Sequence, residues 1–138
     1  MRISAEGLHL ELEARRRVDD EDWVRVGVAV SVVGFDGNFE AWLQLGDLRR
    51  FCEQIELMYD SVGRPGKARL ASAEPEIDIG LEMETLGGIR GAYRFESEHR
   101  RAAPTVLSGS FEMDQSHLPA LAESIRELVV ELGPSNAA

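Results

Sequence analysis

The sequence predicts an α+β domain: an antiparallel sheet of six to seven strands with two helices, in the order βββα(β)βββα. Three observations lead there. Apolar and polar residues alternate over most of the chain, only two segments switch to a helical period, and no strand–helix–strand rhythm of the kind that builds a parallel sheet runs through it. The 138 residues match the usual size of one domain, expected over 1–134 with a disordered tail at 135–138.

The elements follow in order. Leu8, Leu10 and Leu12 alternate with His9, Glu11 and Glu13, and Val24, Val26, Val28, Val30 and Val32 form a β-branched series. Phe39, Ala41, Leu43 and Leu45 complete a first meander of three strands. Over residues 47–62 the apolar positions Leu48, Phe51, Cys52, Ile55, Met58, Tyr59 and Val62 make one helical stripe, stopped by Gly63-Arg64-Pro65-Gly66. A weak strand over 68–73 precedes three firmer ones marked by Ile77, Ile79, Leu81 and Met83, then Ile89, Tyr93 and Phe95, then Leu107, Phe111 and Met113. The second helix spans 117–132 on Leu118, Leu121, Ile125, Leu128, Val129 and Leu132. Asp114 or Ser116 caps its start, Pro119 sits in its first turn and Gly133-Pro134 ends it.

Turn chemistry sets the expected registers. Asp36-Gly37 is a favoured two-residue hairpin loop and would pair Val32 with Ala41 and Val30 with Leu43. For the later hairpin, a two-residue loop at Gly87-Gly88 would put the two apolar series on opposite faces. A three-residue loop, Leu86-Gly87-Gly88, restores agreement with Leu81 opposite Tyr93, Ile79 opposite Phe95 and one glycine left-handed.

No catalytic machinery assembles from these residues. His9, His99 and His117 are isolated and lack metal-ligand spacing, so neither metal nor cofactor is expected. Cys52 lies on an apolar stripe and reads as a small buried hydrophobe. As the single cysteine it allows no internal disulfide. The run Arg15-Arg16-Arg17-Val18-Asp19-Asp20-Glu21-Asp22 lacks the spaced ligands and glycine of a calcium loop, and reads as a solvated, self-neutralising connection. With no apolar leader or spanning run, the protein is expected to be cytoplasmic and not membrane-bound. The formal charge of −10 repels phosphate backbones and argues against nucleic acid.

The acids and tryptophans mark a candidate binding surface. In the expected register Arg90 and Arg94 compensate Glu84 and Glu82, while Asp78 faces Glu96 and Glu76 faces Glu98, leaving an acidic surplus at one sheet end. Fraying, a fold-back of Arg100 and Arg101, or a basic partner would each relieve it. Trp23, Ala29, Val33 and Phe35 share a face with Trp42, Glu40 and Gln44. Two tryptophans on a nominally polar face call for a cover: a helix, a second copy of the chain in a homodimer, or a different protein.

Family resemblance sharpens this. Phe35-Asp36-Gly37-Asn38-Phe39-Glu40-Ala41-Trp42-Leu43 with Asp47-Leu48-Arg49-Arg50-Phe51 resembles the G-F-x-G-x-F-E-A … D-L-x-x-F segment of WapI-type immunity proteins. Phe111-Glu112-Met113-Asp114-Gln115-Ser116-His117-Leu118-Pro119 is similar to their F-E-x-D-Q-T-Y-L-P junction, with Ser116-His117 in place of Thr-Tyr. The opening also matches their I-x-x-E-G-L-x-L-E-L style. The resemblance implies a cytoplasmic antitoxin that blocks the C-terminal domain of a polymorphic bacterial toxin, in some cases a ribonuclease; it carries no functional residues over. The expected partner is a basic toxin domain, met by Trp42 as anchor with Glu40, Glu76, Asp78, Glu96 and Glu98 as rim. The rival class is a small-ligand-binding or structural module.

Overall fold

The computed structural model of the protein describes residues 1–61, 63–97 and 103–134. The fold is α+β, but among the described residues eight strands form two four-stranded antiparallel sheets instead of one sheet of six or seven. The first holds β1 (Arg2–Ala5), β2 (Leu8–Arg16), β3 (Trp23–Val32) and β4 (Phe35–Gln44) in chain order. Helix α1 (Leu45–Asp60) follows. The second sheet holds β5 (Gly66–Ala71), β6 (Ile77–Met83), β7 (Gly88–Glu96) and β8 (Val106–Asp114), again in chain order. A 3-10 turn, Gln115–His117, leads into α2 (Leu118–Leu132). Strand β1 escapes a pattern reading because it is four residues long, and its only buried side chain is Ile3.

The alternating series bury as their parity requires. Leu8, Leu10, Leu12, Val24, Val26, Val28, Val30, Ala41 and Leu43 from the first sheet join Ile77, Ile79, Leu81, Met83, Ile89, Tyr93 and Phe95 from the second in one hydrophobic cluster. Both helices lay their apolar stripes into it, with Phe51, Ile55, Leu118, Ile125 and Leu132 fully covered. α1 packs mainly on α2 and β5, and α2 also reaches β1 and β2. The sheets touch where the Glu112 N–H donates to the Glu6 carbonyl at 3.0 Å and where the Phe39 and Phe95 rings lie 6.2 Å apart.

Both expected hairpin registers shift. In β3–β4 Val32 pairs with Phe35, so the loop is Val33-Gly34 and Asp36-Gly37 lies inside the ladder. Val30 meets Gly37 instead of Leu43, a slide of six residues (43 − 37). The slide is even, so the apolar faces still coincide. Its reason is backbone satisfaction: the observed register pairs all of β3 from Trp23 to Val32, whereas the expected one would leave Trp23 to Val28 without partners on that side. Gly34 supplies the positive φ, +86°, that the second loop position demands. Phe35 thereby moves to the Ala41 and Leu43 face of β4 and does not share the Trp42 face, while staying 66% exposed at the hairpin tip.

In β6–β7 the loop has three residues and a left-handed glycine, as expected, but it is Thr85-Leu86-Gly87. Glu84 N–H donates to Gly88 O at 2.8 Å and closes it, and Gly87 has φ +89°. Leu81 therefore faces Gly91, and Ile79 faces Tyr93. The left-handed residue has to be the last of such a loop, which fixes Gly87 there and displaces every cross-strand pair by two.

The acidic run between β2 and β3 does more than solvate. Asp19 Oδ1 accepts the Glu21 and Trp23 N–H groups, each at 2.9 Å. Asp22, at φ +69°, covers the start of α1 by accepting the Leu45 N–H on its carbonyl and the Gly46 N–H on its carboxylate, both at 2.9 Å. Val18 N–H donates to Leu132 O at 2.8 Å, so one loop ties the first turn of α1 to the last turn of α2. At the other junction Asp114 caps the 3-10 turn through Ser116, and those hydrogen bonds hold its carboxyl below the usual range. Val62, His99, the expected tail at 135–138 and the fold-back of Arg100 and Arg101 lie outside the described residues.

Candidate functional site

Strand β4 sets Trp42 on the face opposite Ala41 and Leu43. Its side chain is half-buried, and two guanidinium carbons stand over its ring: Arg25 at 5.3 Å from the centroid and Arg16 at 5.7 Å. Arg25 is its cross-strand neighbour. Glu40, one step along the same face, pairs with Arg25 at 2.7 Å and lies 3.8 Å from Arg15.

Glu76 is the acid most unlike its expectation. It is 5% exposed and accepts the Trp42 N–H on Oε2 at 3.2 Å, while its carbonyl accepts the Glu96 N–H at 3.0 Å. The outward N–H of edge strand β4 thus finds its partner on the approach to β6, and Glu76 joins the two sheets instead of facing solvent. Asp78 does not oppose Glu96: its cross-strand partner is Arg94, and Arg69 binds it twice, at 3.0 and 2.7 Å. Glu96 pairs with Arg94 at 3.1 Å, Glu84 with Arg90 at 2.9 Å and Glu82 with Lys67 at 3.8 Å. Of the expected surplus, Asp78 and Glu96 are met by bases of the sheet itself, Arg69 of β5 and Arg94 of β7. The slide of two sets Asp78 opposite Arg94 instead of Glu96, whereas Glu76 is buried at the Trp42 N–H. Glu98 lies outside the described residues.

Trp42 thus stands with Glu40 and Glu76, whereas Asp78 and Glu96 belong to the ion pairs of the second sheet. The structure adds two residues that pattern reading passed over. A surface cavity of about 300 Å³ is lined by Trp23, Trp42, Asp19 and Glu74. Asp19 was legible only as one acid in a charged run, yet it stands four residues before Trp23 and caps that residue's N–H. Glu74 sits in the 72–76 connection before β6, where no periodicity points to it.

Other chemistry-bearing groups have structural partners. Cys52 is buried, lies 3.4 Å from Glu56 Oε1 and 3.6 Å from Ala122 O, and burial pushes its thiol up to about 11, so almost no thiolate exists at neutral pH. Among the described residues, no group of three or more His, Cys, Asp or Glu could hold a metal, and no helix is long and apolar enough to cross a membrane. Comparison with curated proteins finds no match. The model of the immunity protein WapI-like family matches residues 1–133, which span every described strand and both helices. The resemblance read from the Phe35 to Phe51 and Phe111 to Pro119 segments thus extends over nearly the whole sequence, and the chain belongs to the WapI-like immunity protein family.

Proposed function

We propose that this protein is a non-catalytic immunity protein that neutralises a toxin domain by binding and occluding it. Membership of an immunity family over residues 1–133 is the observation that carries the reading. The binding surface centres on Trp42, with Glu40 and Glu76 beside it and Asp78 and Glu96 at the rim. A half-exposed tryptophan ringed by charge is the composition of an interface anchor. The partner is basic: a net charge of −10 raises the encounter rate with a cationic domain and weakens that attraction as salt rises. A nuclease fits this description, since inhibition then needs only coverage of a cationic active-site surface. The protein would act in the cytoplasm, where such a toxin does its damage.

Affinity capture from the native cell, followed by titration of the captured domain, tests this. One basic, toxin-like protein should co-purify at low salt and bind with sub-micromolar affinity. Trp42→Ala should weaken it at least about 30-fold, the scale of an interface hot spot. Asp78→Arg should cost only a few-fold, about what a rim charge contributes. Recovery of no such protein would sink the function and favour a small-ligand module. Binding indifferent to both variants would sink the surface assignment.

A further inference from the structure

The geometry points to the Trp23–Trp42 cavity as a slot for an arginine side chain of the partner, with Asp19 and Glu74 as its counter-charges. This rests on the immunity reading for the source of the arginine, but the chemistry of the slot stands on its own residues. Two indole side chains supply the apolar walls, and the two other lining residues are both carboxylates with exposed side chains. An anion is excluded by those acids. A purely apolar group would desolvate them without compensation. A cation with a flat apolar face satisfies walls and rim together, and among side chains that is a guanidinium.

Three further observations agree. The exposed indole surface already accepts guanidinium groups, since Arg16 and Arg25 stand 5.7 and 5.3 Å from the Trp42 centroid. Their charge does not close the site to another cation: Arg25 is answered by Glu40 at 2.7 Å, and the two carboxylates of the slot, Asp19 and Glu74, outnumber the single charge of Arg16. The Glu74 carboxylate makes no hydrogen bond or ion pair among the described residues, and Asp19 uses Oδ1 for its two backbone bonds, which leaves Oδ2 to meet a ligand. The volume of about 300 Å³ suits one long side chain and lies at the bottom of the range of whole-ligand pockets.

The protein carries its own probe, because Trp23 and Trp42 are its two tryptophans and both line the slot. A short acetylated, amidated peptide of alternating glycine and arginine is titrated against tryptophan emission, beside the same peptide with citrulline, which keeps the shape and loses the charge. The arginine peptide should perturb emission saturably and the citrulline peptide at least tenfold more weakly. The Asp19→Asn/Glu74→Gln variant should bind the arginine peptide about tenfold more weakly than the parent, while its circular dichroism is unchanged. The asparagine amide keeps an oxygen to cap the Trp23 N–H, so the loop is preserved. Equal binding of both peptides, or an unchanged affinity in the double variant, overturns the slot. Suppose the captured toxin domain binds in a Trp42-dependent way yet ignores the double variant: the slot then fails and the immunity reading stands. Suppose instead that no toxin domain binds but the arginine peptide does: the slot stands and the immunity reading falls.

Discussion

The two sheets carry comparable charge on their outward faces and differ in what stands beside it. On β5–β8, Glu82, Asp78, Glu84 and Glu96 each face a lysine or arginine of the same sheet. On β1–β4 the strand acids are paired as well, Glu11 with Arg2, Glu13 with Arg15 and Glu40 with Arg25, but the half-exposed tryptophans sit beside Asp19 of the β2–β3 loop and Glu74 of the β5–β6 connection. The first arrangement is self-sufficient, and exposed pairs of that kind contribute little to stability or attraction. The second leaves aromatic surface and carboxylates open to a partner. Acidity alone therefore does not locate a binding face; what locates it is acid without an internal counter-ion next to exposed aromatic area.

Several substitutions test that contrast. The largest effect belongs to binding: Trp42→Ala should cost about 2 kcal/mol or more of partner affinity, whereas Asp78→Asn with Arg69→Gln on the closed sheet should shift it by less than about threefold, read by titration calorimetry. Next comes packing. A Cβ on Gly91 would run into the Phe111 ring, which is 2% exposed and cannot retreat, so Gly91→Ala should lose about 1–3 kcal/mol in urea unfolding. A Cβ on Gly27 would meet the Arg15 guanidinium at 2.6 Å, but that group is the far end of a flexible side chain on the open face. Gly27→Ala should therefore stay within about 0.5 kcal/mol of the parent. Equal losses at the two glycines would mean that the Arg15 side chain is as fixed as the buried Phe111 ring.

Smaller again is the loop that connects the helices. Asp22→Ala removes the carboxylate that accepts the Gly46 N–H and places a β-carbon residue without a cap at φ +69°, so it should cost about 1 kcal/mol in the same assay. The smallest effects belong to the ion pairs. A double-mutant cycle on Arg25–Glu40, with side chains 32% and 44% exposed, should give about 0.2–1 kcal/mol, and one on Arg69–Asp78, at 66% and 37%, should give the smaller coupling because the pair is less covered. A coupling at Arg69–Asp78 well above that range would mean that the closed sheet is held by its charges.

Much of this was legible in the sequence, and the failures have particular causes. The valine series from Val24 to Val32 and the leucines of β2 announce strands because a pleated backbone sends alternate side chains to opposite faces. The stripes on α1 and α2 announce helices in the same way; Pro119 and Gly133 mark the two ends of α2, and Asp114 caps the 3-10 turn that leads into it. The tryptophan face was equally visible, since Trp23 and Trp42 break the polar parity of their strands. The hairpin loops were not fixed this way: any even slide keeps the apolar faces aligned, so parity could not separate Val33-Gly34 from Asp36-Gly37, nor Thr85-Leu86-Gly87 from its neighbour. The second slide sets Asp78 opposite Arg94, where the expected ladder, displaced by two residues, set it opposite Glu96.

Local pattern alone thus determined that this chain is α+β, where both helices and all the described strands but β1 lie, which of their side chains enter the core, and that Trp42 faces outward. Tertiary structure alone decided that the strands divide into two sheets, that Glu76 is buried against the Trp42 N–H, and that Asp19 and Glu74 meet the tryptophans across a cavity. The physical reason is range. Periodicity records how each residue sits relative to its chain neighbours, whereas a bond such as Glu76 to Trp42, 34 residues apart, depends on how separate elements stack, and only the packed fold settles that.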